Sequence, residues 1–89
     1  MQPRASSDFW ARYRELPANI RGRADKQFAL MKDNPQHPSL QFKKLGDRRG
    51  QEIWSARVTL KHRALAIKRR DAFLWFWIGD HETYDLMIS

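Results

Sequence analysis

Glu52-Ile53-Trp54-Ser55-Ala56-Arg57-Val58-Thr59-Leu60 reads as a β-strand from its alternation. Trp54, Ala56, Val58 and Leu60 fall on one face, which suits a core; Ser55, Arg57 and Thr59 fall on the other, a cation among hydroxyls. Two more strand-like runs follow, Arg63 to Arg69 and Ala72 to Ile78, with short connections near Leu60-Lys61-His62 and Arg70-Asp71. An antiparallel meander is the simple reading. The first hairpin's register decides whether two arginines meet. An odd loop pairs Thr59 with Arg63 and puts Arg57 and Arg63 on one face; an even loop separates them.

Outward from that meander, the N-terminal half turns helical. Ser7 with Asp8 offers a helix start, and Phe9, Tyr13 and Leu16 recur at helical spacing. Pro17 ends this helix and fits the first turn of the next. There Ile20, Ala24, Phe28 and Met31 form one apolar face, until Asn34-Pro35 closes the element. Leu40-Gln41-Phe42 alternates like a strand, and Gly46-Asp47-Arg48-Arg49-Gly50 carries turn chemistry. Phe73 to Ile78 is apolar on both faces, so this last strand belongs at or near the middle of its sheet. Asp80 can cap a short final helix through Ile88. The fold class is therefore α+β: residues 1–89 form one domain, a helical hairpin on one face of a small antiparallel sheet, with a short C-terminal helix.

Charge is the unusual part of the composition. Seventeen Lys and Arg against ten Asp and Glu leave a net +7. Residues 46–70 hold eight cations and two acids, whereas residues 71–89 hold four acids and no cation. A small domain so basic meets polyanions, with RNA, DNA, acidic proteins and anionic membranes as the classes to consider. Without cysteine there is no disulfide framework and no thiolate metal site. His37, His62 and His81 lack the spacing of a zinc motif, so no metal or other cofactor is expected. The N-terminus shows no signal peptide, and the apolar run before Gly79 is too short to span a bilayer. A soluble cytoplasmic protein is the expectation.

Chemistry concentrates after the last strand. The run Leu74-Trp75-Phe76-Trp77-Ile78 ends at Gly79, and His81 and Tyr84 then follow three residues apart. A strand ending there delivers a histidine and a phenol to the sheet rim, facing the basic segment Arg57 to Arg70. Plainer roles exist for each residue. His81 can serve as a hydrogen bonder at a helix start, and Tyr84 as a packing anchor. Arg57 can pair with Glu52 or Asp71, and Lys68-Arg69-Arg70 can be a solvated turn.

Phe9-Trp10, Leu16-Pro17, Asn34-Pro35, His37-Pro38-Ser39-Leu40-Gln41-Phe42-Lys43, Trp54-Ser55-Ala56-Arg57-Val58, Arg63-Ala64-Leu65 and Trp77-Ile78-Gly79-Asp80-His81-Glu82-Thr83-Tyr84-Asp85 occur in that order. Together they make a chain that resembles the RelE/ParE superfamily of type II toxins, especially its HigB- and YafQ-like branch. The resemblance implies two helices on a curved antiparallel sheet with a short C-terminal helix. It also implies a ribosome-dependent mRNA endonuclease neutralised by a cognate antitoxin, with mRNA and ribosomal RNA as partners. The ParE branch, which poisons DNA gyrase without catalysis, is the alternative, and a decayed member that only binds antitoxin and nucleic acid is a third.

By this resemblance, Arg57 and Arg63 match the arginines flanking the central hairpin turn, and His81 matches an acid/base histidine. Tyr84 matches the aromatic that follows, and Lys43 more loosely a variable lysine. Lys61, Lys68 and Arg69 are further candidates for RNA backbone contact. Such enzymes turn the 2′-hydroxyl on the adjacent phosphate, which requires a base, an acid and cations. Histidine supplies either proton role, arginine matches phosphate oxygens, and Tyr84 can stack on a base or donate a proton. Of the other histidines only His62 lies nearby, in the turn, and neither it nor His37 receives a role; the general base stays unassigned.

Overall fold

The N-terminal helix begins at Ser7, as the sequence suggests, with the residue before it as its cap. Ser6 is the cap, its hydroxyl accepting from the Phe9 backbone N–H at 3.2 Å. In the computed structural model, which describes residues 4–88, a strand β1 (Arg4–Ala5) precedes α1 (Ser7–Glu15) and α2 (Ala18–Asp33). Then come β2 (Lys43–Arg48), β3 (Gln51–Thr59), β4 (His62–Arg69), β5 (Ala72–Asp80) and α3 (His81–Ile88). The strand order is β1-β5-β4-β3-β2, with β1 parallel to β5 and every other pair antiparallel. The α+β reading holds, with one addition: the sheet is mixed. Two residues carry too little pattern to announce a strand, so β1 was invisible in the sequence.

Pro17 caps α2, as its missing N–H and fixed φ favour, and Asn34 closes it. Helix α1 lies over β5 and α2 over β3. They meet through the Phe9 and Phe28 rings, 5.5 Å apart, and through the Tyr13 hydroxyl, which donates to Asp25 at 2.5 Å. That hydrogen bond raises the phenol above its ordinary range. Beneath the helices, Phe28, Trp75, Phe42, Trp54 and Phe73 form a chain of edge-on and tilted ring contacts. Ala56, Val58, Ala64, Ala66 and Ile78 complete this core. Trp75 and Trp77 are 1% and 4% exposed, and β5 lies second from the edge, as the doubly apolar run anticipated.

Three readings need correction. Leu40-Gln41-Phe42 is not extended: Pro38–Leu40 is a turn of 3₁₀ helix closed by Gln41 at a left-handed φ of 43°. The supposed loop Gly46 to Gly50 contracts to a turn at Arg49-Gly50, both with positive φ, the backbone that suits a tight hairpin. Gly46, Asp47 and Arg48 stay in β2, because a bulge at Leu45 absorbs the irregularity. Leu60 is no core residue; it is 74% exposed at the hairpin tip.

The opposite face of the sheet is covered by α3. Leu65, Trp77 and Tyr84 are buried there, with Leu45, Ile53, Phe76 and Met87 packed around them. Asp80 caps this helix, its carboxylate accepting from the Thr83 N–H at 2.8 Å. That bond is the main cause holding Asp80 below the usual carboxylate range.

Candidate functional site

The β3–β4 hairpin has an even loop, and yet its two arginines meet. Leu60-Lys61 is the turn, Thr59 pairs with His62, and a bulge at Val58 shifts the register so that Arg57 sits directly opposite Arg63. Odd-or-even arithmetic left out the extra residue that a bulge inserts. Both arginines therefore lie on the α3 face, in line with Ser55 and Leu65. Across β4, Arg63 faces Gly79. The Trp77 ring lies against Gly79 so closely that a Cβ there would stand 2.6 Å from it. Gly79 thus gives the indole its place and presents no side chain to Arg63.

The two guanidiniums are held differently. Arg63 curls back onto the hairpin turn, Nη1 donating to the Thr59 carbonyl at 2.7 Å and the His62 carbonyl at 3.0 Å, with Leu60 at 3.4 Å. Its other amino groups stay available, because the guanidinium carries five N–H donors. The Arg57 side chain has no hydrogen bond or ion pair among the described residues, to Glu52 or Asp71 included. Its backbone carbonyl accepts from Gln27 Nε2 at 2.9 Å, which ties β3 to α2.

His81 opens α3 at the sheet rim. Its backbone N–H donates to the Lys61 carbonyl at 2.7 Å, fastening the helix start to the arginine hairpin. Its exposed ring leans forward along the helix, Nε2 lying 3.5 Å from Asp85 Oδ2 one turn on. One turn on, Tyr84 points inward: it is 7% exposed, and its hydroxyl reaches Ser55 at a long 3.4 Å. Tyr84 thus shares the arginines' face but is shielded from solvent by the packing of α3. None of the three main clefts is lined by Arg57, Arg63, His81 or Tyr84. The arrangement is a rim between hairpin and helix start.

The lysines scatter around it. Lys43 is exposed opposite Ser55, and Lys61 is exposed in the hairpin turn. Lys68 and Arg69 stand at the far end of β4, five and six residues beyond Arg63, which is about 20 Å in an extended strand. Lys68 hangs 6.0 Å from the Trp54 ring centroid, on the helix-covered face. His37 accepts from the Ser39 N–H and caps the 3₁₀ turn, a local role.

One group received no role from the sequence. His62 is the first residue of β4, directly opposite Asp80, and its Nδ1 lies 2.9 Å from the Thr59 hydroxyl. Burial is the first cause that lowers its pKa; Arg63 and Lys61 push the same way and Asp80 opposes them. The signal available beforehand was the spacing Thr59-x-x-His62 across a tight turn, which puts hydroxyl and imidazole side by side.

A model of the ParE-like toxin domain matches residues 18–85. This chain belongs to that family. The toxin domain therefore lies in the RelE/ParE superfamily, as the ordered motifs indicated. No curated protein matches it in sequence. Its fold is similar to RelE in the RelB–RelE antitoxin–toxin complex of Methanococcus jannaschii, with TM-score 0.70 and 14% identity over 93% of this chain and 96% of that one. It is similar also to YafQ of E. coli strain BL21(DE3), TM-score 0.68 and 12% identity over 93% and 96%. The YoeB/ParE toxin of Agrobacterium tumefaciens matches at TM-score 0.66 and 16% identity, over 91% and 99%. Such identities speak for a shared fold. Among the described residues no helix is long and apolar enough to cross a membrane, and no three His, Asp or Glu cluster as a metal site would require.

Proposed function

We propose that this toxin is a ribosome-dependent mRNA endonuclease that blocks translation in the cytoplasm and is neutralised by an antitoxin. One observation carries the reading: a bulge brings Arg57 and Arg63 opposite each other on the hairpin that hydrogen-bonds the start of α3, where His81 stands exposed. Half-buried cations beside an exposed imidazole fit a phosphodiester whose charge grows during cleavage. Arg57 binds the scissile phosphate with its unengaged fork, and Arg63 adds charge from a preset position. His81 moves a proton. Tyr84, enclosed against Ser55, seats the helix that presents His81; for its ring to stack on a base, α3 must first lift. Lys43 and Lys61 extend the basic rim toward the RNA backbone. The antitoxin partner is inferred from the RelB-bound archaeal relatives.

The test maps mRNA ends in a translating extract, with and without the toxin and with an His81→Ala variant. Cleavage within ribosome-bound message that disappears in the variant is the expected result. Intact message together with blocked gyrase supercoiling would instead favour the ParE-like alternative, in which no side chain performs chemistry.

A further inference from the structure

The helix-covered side of the sheet holds a cleft that the rim does not use. It lies between the start of α1 and the end of α2, has a volume of about 320 Å³, and is lined by Trp75 of β5 and by both residues of β1. We propose that this cleft binds one unpaired nucleotide of an RNA strand, with the base among the aromatic rings and the phosphate on Arg4 and Lys32. Binding here needs no cleavage, so the proposal stands or falls apart from the endonuclease reading.

Shape comes first. Phe9, Trp10 and Tyr13 of α1 and Phe28 of α2 make the walls aromatic. Trp10 stands edge-to-face against both Phe9 and Tyr13, with ring centroids 5.3 Å apart in each pair, and it remains 45% exposed. An indole held by its neighbours and still open to solvent is a platform for base stacking. Ala5 and Ala29, small where they line the cleft, leave room for one flat heterocycle rather than a larger molecule.

Polar groups come second, and they favour a base over an aliphatic side chain. Trp75 is 1% exposed, and its indole N–H is the one buried side-chain polar group without a hydrogen-bond partner among the described residues. Its ring neighbours Phe28 and Phe42 carry no acceptor atom. A bare buried donor is costly, so an occupant that brings an acceptor to it gains what the folded chain forgoes. Across the cleft, Asp25 takes the Tyr13 hydroxyl on Oδ1 and leaves Oδ2 unengaged among the described residues. The edge of a nucleobase carries donors and acceptors together, which suits a free N–H and a free carboxylate oxygen. An aliphatic side chain would use neither.

Charge comes third. Arg4 and Lys32 are exposed, line the same cleft and make no ion pair among the described residues. They face one acid, Asp25, among the described lining residues, and supply two cations for the phosphate of a bound nucleotide. A strand is favoured over a free nucleotide because its flanking phosphates meet more of the helical surface, where Arg12 and Arg14 close α1.

The experiment titrates the toxin with an octamer of 2′-O-methyladenosine, which lacks the free hydroxyl that cleavage needs, and with a spacer of equal phosphate count and no bases. Fluorescence anisotropy gives the affinities, and the indole N–H resonance of Trp75 in isotope-labelled toxin reports the site. The octamer should bind about 10-fold more tightly than the spacer and move the Trp75 signal downfield, while the spacer leaves it in place. Trp10→Ala should weaken the octamer by about 10- to 100-fold and leave the spacer unchanged. Arg4→Gln with Lys32→Gln should weaken both and flatten the dependence on salt. Should Trp10→Ala not fold, the Trp75 signal decides on the wild type.

Equal affinity for octamer and spacer, with the Trp75 signal unmoved, would mean charge alone and overturns the site. An octamer preference that survives Trp10→Ala undiminished puts the base elsewhere and overturns it as well. A Trp75 signal moved by N-acetyl-leucinamide and not by the octamer would replace the base with an aliphatic side chain of a partner protein. Adenosine monophosphate binding as tightly as the octamer would overturn the choice of a strand and assign the cleft to a free nucleotide.

Discussion

Strand β4 carries cations at both ends, and the two ends are built differently. At its start, Arg63 is gripped by carbonyls of the turn, His62 is braced by Thr59, and the neighbouring turn carbonyl of Lys61 holds the start of α3. At its finish, Arg69 is exposed, Arg70 is a turn residue at φ 58°, and Lys68 hangs over an indole. Charge alone does not mark a site. Fixing a cation costs side-chain entropy, and a fold that meets this cost at one end of a strand has placed its constraint there.

The largest effect should come from His81. His81→Ala is expected to lower mRNA cleavage by about 10²-fold or more and to relieve growth arrest. The melting temperature should barely move, because the ring is exposed and its contact with Asp85 is a surface pair. A fully active variant would break the contrast, since the ordered end would then do no chemistry.

Next are the arginines, which the same contrast sets apart. Arg57→Ala should cut cleavage by about 10²-fold with little change in stability, because its side chain makes no hydrogen bond or ion pair among the described residues and the backbone carbonyl that holds Gln27 remains. Arg63→Ala should lower activity similarly and also loosen the hairpin, for it releases the carbonyls of Thr59, Leu60 and His62. Hydrogen exchange at Lys61 and His62 separates the two: faster exchange only in Arg63→Ala is the expected outcome. Tyr84 divides along another line. Tyr84→Phe gives up only a 3.4 Å hydrogen bond and should retain activity, whereas Tyr84→Ala empties a buried site at a cost of about 3–5 kcal/mol. Thermal melts of both variants check this.

Much of this architecture was legible because period and apolar content are local signals. The alternation Trp54, Ala56, Val58 and the doubly apolar Phe73 to Ile78 announced strands and their burial correctly. The Arg57–Arg63 pairing was not legible, because a bulge at Val58 adds a residue that no turn rule counts. Nor was Ser55 readable as buried: its face opens or closes only when α3 folds back and lays Tyr84 over it. His62 was passed over for a similar reason. Its neighbours Asp80, Arg12 and Glu15 come from elements that only the tertiary fold brings to it.

Acid should weaken the fold through the ordered end. His62 is depressed below its ordinary value of 6.5 in the folded chain, so the unfolded chain binds the proton more readily. Stability should therefore decline as pH falls from about 6.5 through the lower folded value, and His62→Gln should flatten that slope. Asp80 adds a second loss at lower pH: its stabilisation is present above 3.8 and disappears as pH falls through its depressed folded value. Urea melts at several pH values would show both. A melt independent of pH between about 5 and 7 would contradict the His62 part.

The smallest effect belongs to the far end of β4. Lys68→Ala with Arg69→Ala should leave the chemical step nearly intact, because the pair stands about 20 Å from Arg63 along the strand. On the proposed reading these residues add charge to the surface that meets RNA, a contribution that is electrostatic and non-specific. Each phosphate left without its cation should reduce the slope of log affinity against log salt by about 0.7 for single-stranded RNA. The double variant should thus lower affinity mainly at low salt, whereas Arg57→Ala should lower the cleavage rate at every salt concentration. Titrating RNA binding against salt, beside single-turnover rates, separates the two ends. If the Lys68/Arg69 variant instead slowed cleavage as much as Arg57→Ala does, the substrate would have to track the whole length of β4. The contrast between its ends would then be one of mobility alone.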